Sequence, residues 1–187
     1  MATMIDIELM RSLLSYEPET GEFHWLCDRS NIKAGSIAGW INNKGYRLIR
    51  IGARCVPAHR IAWAMTFGEY PSKQIDHIDG DRSNNRLSNL RLATLMENCR
   101  NRKLGKRNKL GFKGIYRMKG SDVFVAHIRI GGSKMISLGS YDTPEEAAHA
   151  YNKAAVLHHG EFATLNPVGG VFEDSRRSHA RRGKNAD

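Results

Sequence analysis

Apolar residues recur at helical spacing over positions 4–17, where Ile5, Leu9, Leu13 and Leu14 fall near one face, and Pro18 with Gly21 stops the run. From Gly21 to Leu26 polar and apolar residues alternate instead, as in a half-buried strand. Ser36–Ile41 and Tyr46–Ile51 predict further short strands about the turn Asn42-Asn43-Lys44-Gly45, with Arg47, Ile49 and Ile51 sharing a face. Helical spacing returns from Ala58 to Phe67, where Ile61, Ala62, Met65 and Phe67 form a stripe ended by Gly68 and Pro71. A short apolar lead-in at Ile75 then meets the adjacent pair Asp76-His77, a polar loop rich in Asn and Gly, and a segment that reads as a helix carrying Asn98.

The pattern changes abruptly at Cys99. The segment from Cys99 to Lys113 holds seven basic residues (Arg100, Arg102, Lys103, Lys106, Arg107, Lys109 and Lys113) and no acidic one. Such a run is either a solvated linker or a strap along phosphates. Beyond it, Gly114–Met118, Val123–Ile130 and Lys134–Leu138 predict three strands joined by the turns Lys119–Asp122 and Gly131-Gly132-Ser133. A helix follows with Thr143 as its N-cap, Pro144 in the first turn and Glu145 and Glu146 at the positive end. It runs to about His158, stops at Gly160, and carries Ala147, Ala148, Tyr151, Ala154 and Ala155 on one face. Taken alone, this is an ordinary three-strand-plus-helix packing unit. Residues from Gly169 onward have little apolar content and predict a disordered basic tail.

Composition narrows the classes. The 187 residues are 41% hydrophobic, enough to bury a core in one domain or two small ones. No run approaches the roughly 18 apolar residues a membrane span requires, and the N-terminal stretch is too acidic and interrupted for a signal peptide. Cys27, Cys55 and Cys99 are scattered with no CxxC pair, which predicts neither a disulfide framework nor structural zinc and fits a reducing, intracellular setting. The net charge of +10 points to a polyanionic partner without choosing between DNA and RNA. No aromatic-rich strand motif for stacking RNA bases is evident.

The chemistry gathers at Ile75–Asn98. Neighbours on a strand point to opposite sides of the backbone, so Asp76 and His77 divide the work: Asp76 can hold a cation while His77 faces the attacking water. Asn98 can return from the helix to complete the site, and carboxylate plus amide oxygens suit Mg²⁺, which keeps several waters. Asp79, Gly80, Asp81, Asn84 and Asn85 leave open a plainer reading as turn formers. A calcium loop is excluded, since its twelfth position falls on Leu87 or Leu90 where a Glu is needed. His59 and Arg60, at the start of the Ala58–Phe67 helix, either pack and bond locally or line the cleft and touch phosphate.

The string from Ala58-His59-Arg60 through IDHIDGDRSNNRLSNLRLAT to Asn98 resembles the HNH endonuclease family, in the branch common among phage and intron-homing enzymes. The resemblance spans about residues 45–103 and implies a ββα-metal fold around one divalent ion. By position it makes His77 the general base, Asp76 and Asn98 the metal ligands, and Asn89 the residue that ties the loop and holds the base. Asn98 stands where many members have His, and its amide oxygen favours Mg²⁺ or Mn²⁺ over zinc. Residues 111–166, with LGSYDTPEEAAHAY and GEFATLN as their strongest parts, resemble the DNA-binding domain of the plant apetala-two/ethylene-response-factor regulators. That likeness implies a sheet laid into the DNA major groove. It places Lys113, Tyr116, His127, Arg129, Ser137 and Tyr151 at contact positions, with Arg117 and Lys134 as nearby basic candidates. Tyr116, Met118, Met135 and Ser137 replace family Arg and Trp residues, so the family's preferred site is not carried over.

The expectation is an α+β chain. Residues 1–44 form a helix and small sheet continuous with the nuclease core at 45–103, a basic linker covers 104–112, a DNA-binding unit covers 113–167, and the tail is 168–187. The expected activity is metal-dependent cleavage of double-stranded DNA by a monomer, with His59, Arg60, Arg100, Arg102, Lys103, Lys106 and Arg107 adding DNA contacts. The alternative is a non-catalytic DNA-binding regulator that keeps the HNH module as a scaffold.

Overall fold

A computed structural model describes residues 6–102, 104, 108–131 and 134–169. The basic candidates Lys103, Lys106 and Arg107, the Gly132-Ser133 part of one predicted turn, and the predicted tail from residue 170 lie outside them. The chain divides between Asn101 and Arg102 into two compact units, each with its own apolar core.

In the first unit the predicted opening helix is cut short. Helix α1 covers only Ile7–Leu13, and Leu14–Glu17 is strand β1, paired antiparallel with β2 (Glu22–Trp25). The helical stripe and the strand share Leu14, which is buried in the core with Met10 and Phe23. Tyr16 stacks on Phe23 at 4.6 Å, a cross-strand pairing that only an extended chain allows. Of the predicted strand Ser36–Ile41, only Trp40–Ile41 is β3. It pairs with β4 (Arg47–Ile51), which turns through Gly52-Ala53 into β5 (Arg54–Pro57), a strand the pattern did not predict. Helix α2 occupies Ala58–Phe67 as expected, ending on left-handed Gly68. Its Ile61 and Ala62 pack with Ile49, Ile51 and Trp25 in one core.

The same core reaches the ββα element through Ile75 and Leu90. Strand β6 (Gln74–His77) pairs antiparallel with β7 (Leu90–Ala93), setting Asp76 opposite Arg91 and His77 opposite Leu90. Helix α3 (Leu95–Arg100) starts at a capping box in which Thr94 and Glu97 satisfy each other's backbone N–H groups.

The second unit is the predicted three-stranded antiparallel sheet on one helix. Its strand order is β10 (Lys134–Tyr141), β9 (Phe124–Ile130), β8 (Ile115–Arg117), with α4 (Pro144–His159) packed against it. Strand β10 runs three residues beyond the expected Leu138, past a register shift between Ser137 and Gly139. Thr143 and Glu146 form the capping box of α4. Gly114 has a φ of +75°, and a Cβ there would lie 2.4 Å from the Tyr151 ring and 2.5 Å from the His127 carbonyl oxygen, so only glycine fits. Among the described residues no helix is long and apolar enough to cross a membrane.

Candidate active site

The end of β6 places Asp76 and His77 on opposite sides of the strand, both buried at 4% and 5% exposure, and each has its own set of partners. On the Asp76 side, Arg91 reaches across from β7 and donates Nε and Nη2 to Oδ2 at 2.9 and 2.8 Å. Asn101, just past the end of α3, donates Nδ2 to both carboxylate oxygens at 3.1 and 3.0 Å and to the His77 carbonyl at 2.8 Å. Asn98 lies on the same helix with Nδ2 toward Gln74 Oε1 (3.1 Å) and the Ile75 carbonyl (3.4 Å). With its nitrogen so committed, its amide oxygen is the atom left to act as a ligand.

On the other side, the His77 ring meets Asn85 Oδ1 at 3.4 Å through Nε2. With the amide oxygen as acceptor, Nε2 carries the proton and Nδ1 keeps the lone pair. His59 stands edge-on to His77 with ring centroids 5.1 Å apart, and Tyr46 lies 5.4 Å from His59 and 6.1 Å from His77. Burial pulls the His77 pKa down, and the Asn85 bond and the Asp79, Asp76 and Asp81 carboxylates offset this only in part. His59 is lowered to about 3 by burial, with His77 and Arg60 adding to the effect, and its Nδ1 is buried without a partner. Both rings are therefore neutral at pH 7, and a neutral imidazole can accept a proton from water.

Asn89 ties the loop together. Its Nδ2 donates to Asp79 Oδ1 (3.0 Å) and the Asn84 carbonyl (2.9 Å), while its Oδ1 accepts from the Asp79 N–H (3.0 Å). The side chain that touches the His77 ring is Asn85, not Asn89. Asn85, read from sequence as a turn former, is only 1% exposed and is braced by the first hairpin. Tyr16 Oη donates to the Asn85 carbonyl at 2.8 Å, and the Leu87 N–H donates to the Pro18 carbonyl at 3.0 Å. Gly21, at φ +76°, lies so close that a Cβ would come within 2.4 Å of the Arg86 nitrogen. Residues 14–25, whose purpose was illegible in sequence, thus support the loop that meets His77. Asp79 and Asp81 stay in the loop framework. Burial alone would raise the Asp79 carboxyl, but bonds from Asn84, the Asp81 N–H and Asn89 hold it below the usual range.

The donor set can be tested against a divalent cation. Asp76 offers a buried carboxylate and Asn98, whose Nδ2 faces the carbonyl of neighbouring Ile75, an amide oxygen, both hard oxygen ligands of the kind Mg²⁺ and Mn²⁺ prefer. No group of three or more His, Cys, Asp or Glu able to hold a metal occurs among the described residues. A cation there would accordingly take its remaining ligands from water or phosphate. Asn101 and Arg91 were missed from sequence. Asn101 was findable, since it lies three residues after Asn98 on the same helical face, whereas Arg91 needed the β6–β7 register.

The predicted DNA contacts fall on different surfaces. His59 and Arg60 are half-buried in the first turn of α2, Arg100 is half-buried on α3, and Arg102 is exposed. In the second unit, residues paired directly across strands share a face. Arg129 with Met135, His127 with Ser137, and Tyr116 with Val125 lie on the face away from α4, while Ile128 with Ile136 and Ala126 with Ile115 lie toward it. Arg117 and Lys134 follow the helix-side alternation, opposite Phe124 and Ile130 at the sheet's ends, and Arg117 is paired with Asp122. Tyr151 corrects the expectation. It is 4% exposed in the core beneath the sheet, where burial pushes its hydroxyl up to about 12. Lys113 is half-buried, its amine lowered to about 8 by burial, and it donates to the Arg102 carbonyl at 3.1 Å.

Residues 56–100 match the HNH endonuclease family. The chain is 37% identical to Protein 3.8 of Escherichia phage T7 over 106 residues, 56% of this chain and 86% of that protein. It is 34% identical over 112 residues to an uncharacterized HNH endonuclease of Acanthamoeba polyphaga mimivirus, 59% of this chain and 57% of the relative. A solved structure of DNA binding and cleavage by the HNH homing endonuclease I-HmuI aligns with 51% of this chain and 55% of that one, at 29% identity and a TM-score of 0.38.

Proposed function

Since the chain belongs to the HNH endonuclease family, we propose that it hydrolyses phosphodiester bonds of double-stranded DNA with one divalent cation, Mg²⁺ or Mn²⁺, held by Asp76 and Asn98. A cation bound there supplies positive charge against the scissile phosphate and the departing oxygen. His77 accepts the proton of the attacking water at Nδ1, while Nε2–H stays on Asn85 Oδ1 and fixes the ring. The water oxygen bonds to phosphorus, the bond to the 3′ oxygen breaks, that oxygen takes a proton from solvent water, and the products carry 5′-phosphate and 3′-hydroxyl ends. The observation that carries this reading is the division of partners at the end of β6: a carboxylate on one side, and a buried, neutral, oriented imidazole on the other.

The second unit supplies the site choice in this proposal. Its open face, with Arg129, His127, Tyr116 and Ser137, is the surface that the apetala-two-type likeness assigns to the major groove. The basic segment from Arg100 to Lys113 contributes phosphate contacts.

Incubation of the purified chain with supercoiled plasmids bearing random inserts, in Mg²⁺ or Mn²⁺ and in EDTA, tests both parts. Metal-dependent nicking or linearisation is expected, with preferred positions that are lost when residues 111–187 are removed. Absence of cleavage in either metal would sink the nuclease reading. Unchanged site preference after the deletion would sink the role given to the second unit.

A further inference from the structure

Arg91 has no place in the mechanism above, yet it is the closest charged neighbour of the carboxylate on which that mechanism depends. Its guanidinium faces Asp76 directly across the β6–β7 pair and puts two N–H groups on one oxygen, Oδ2, at 2.9 and 2.8 Å. The ion pair is shielded from solvent, with the arginine side chain 13% exposed and the aspartate 5%. Asn101 shares its one amide nitrogen between the two oxygens, at 3.1 Å from Oδ1 and 3.0 Å from Oδ2. A cation that draws on Oδ2 must therefore compete with a positive group already seated on it. That competition is strong at such short range and in such low exposure.

A guanidinium has a second suitable anion in a protein that handles DNA. Its planar fork matches phosphate oxygens as well as it matches a carboxylate. We propose that Arg91 is a positioning residue that couples cation binding to DNA binding at this site. Without DNA, Arg91 and Asn101 hold the Asp76 carboxylate in place and keep its affinity for a divalent cation low. When a DNA phosphate arrives, Arg91 transfers to it, and Oδ2 is released to the cation. By linkage, the cation must then strengthen DNA binding by the same factor as DNA strengthens cation binding. The chain would bind metal and commit to cleavage only on DNA, which limits unproductive metal occupancy. The inference rests on Asp76 being a cation ligand.

Two binding measurements on the full chain test it without reference to activity. Mn²⁺ is titrated calorimetrically into wild type, Arg91→Gln, Arg91→Met and Asp76→Asn in the absence of DNA. The affinity of a labelled, phosphorothioate-substituted duplex is then measured by fluorescence anisotropy with and without Mn²⁺. Arg91→Gln is expected to bind Mn²⁺ without DNA at least about fivefold more tightly than wild type, the lower end of measured site-to-site couplings. Mn²⁺ should tighten DNA binding by wild type by at least about the same factor and leave Arg91→Gln nearly unaffected. Equal or weaker Mn²⁺ affinity in Arg91→Gln would overturn the proposal, while loss of Mn²⁺ binding in Asp76→Asn would leave the metal site itself standing. Wild-type Mn²⁺ affinity in Asp76→Asn would overturn both. If circular dichroism shows that Arg91→Gln does not fold, Arg91→Met, which also lacks the charge, decides: affinity above wild type supports the coupling, and equal or lower affinity refutes it.

Discussion

Replacing His59 with Phe should remove a definite portion of the chain's acid sensitivity. His59 packs edge-on against His77 and beside Tyr46, with Nδ1 buried and unpartnered, and its folded pKa is lowered to about 3, chiefly by burial. The ordinary histidine value is near 6.5. Between those values the unfolded chain binds a proton that the folded chain refuses, so stability from this group is fully present above about pH 6.5 and is lost as pH falls toward 3. Integrating that difference for one group gives a loss of about 2 kcal/mol between pH 7 and pH 5. Phe keeps an aromatic ring against Tyr46 and His77 but cannot take up the proton. The assay is urea unfolding of both proteins at several pH values, followed by tryptophan fluorescence. Trp25, Trp40 and Trp63 are the chain's three tryptophans and all lie in the first unit, so the signal reports that unit. Carboxylates that also titrate are common to both proteins and cancel in the difference. The wild type should lose about 2 kcal/mol more than His59→Phe over this range; parallel pH profiles would refute the assignment of His59 as a buried neutral ring.

The other side chains around the site and the sheet give further tests. Asn85→Ala removes the group that orients His77 and should lower kcat about 10- to 100-fold, the common cost of losing an orienting partner, with little change in DNA affinity by anisotropy; an unchanged kcat would show that the ring is held by something else. Gly114→Ala forces a Cβ into the Tyr151 ring and the His127 carbonyl at a positive φ. It should destabilise the second unit by at least about 2–3 kcal/mol, visible as a lowered thermal transition by circular dichroism. A melting curve superimposable on wild type would mean that the close packing there is not as described.

Much of this was legible in the residues, and the rest was illegible for identifiable reasons. Helices α2 and α4 announced themselves because stripe, cap and stop agreed: Gly68 ends one, and Thr143, Pro144 and Glu146 open the other. The opening helix was overextended because Leu13 and Leu14 satisfy a helical stripe locally, whereas the pairing of Tyr16 with Phe23 is a contact between strands that periodicity cannot express. At the site, the opposite facing of Asp76 and His77 was legible because neighbours on a strand alternate sides. Asn85 was dismissed because an Asn-Asn pair after Asp-Gly-Asp reads as turn chemistry, and only its burial under the Tyr16 hairpin shows what it does. Tyr151 was misplaced because a contact position in a resembled family says nothing of which face a helical tyrosine turns to; here the alanine-rich face of α4 draws it into the core.

Single-turnover cleavage of one DNA substrate by wild type and His77→Ala, both at saturating Mg²⁺, tests the central assignment most directly. His77→Ala should bind the DNA as wild type does and cleave it about 100- to 10,000-fold more slowly, the usual contribution of a positioned general base. Cleavage by His77→Ala at the wild-type rate would contradict the role of His77 as the group that takes the proton from water.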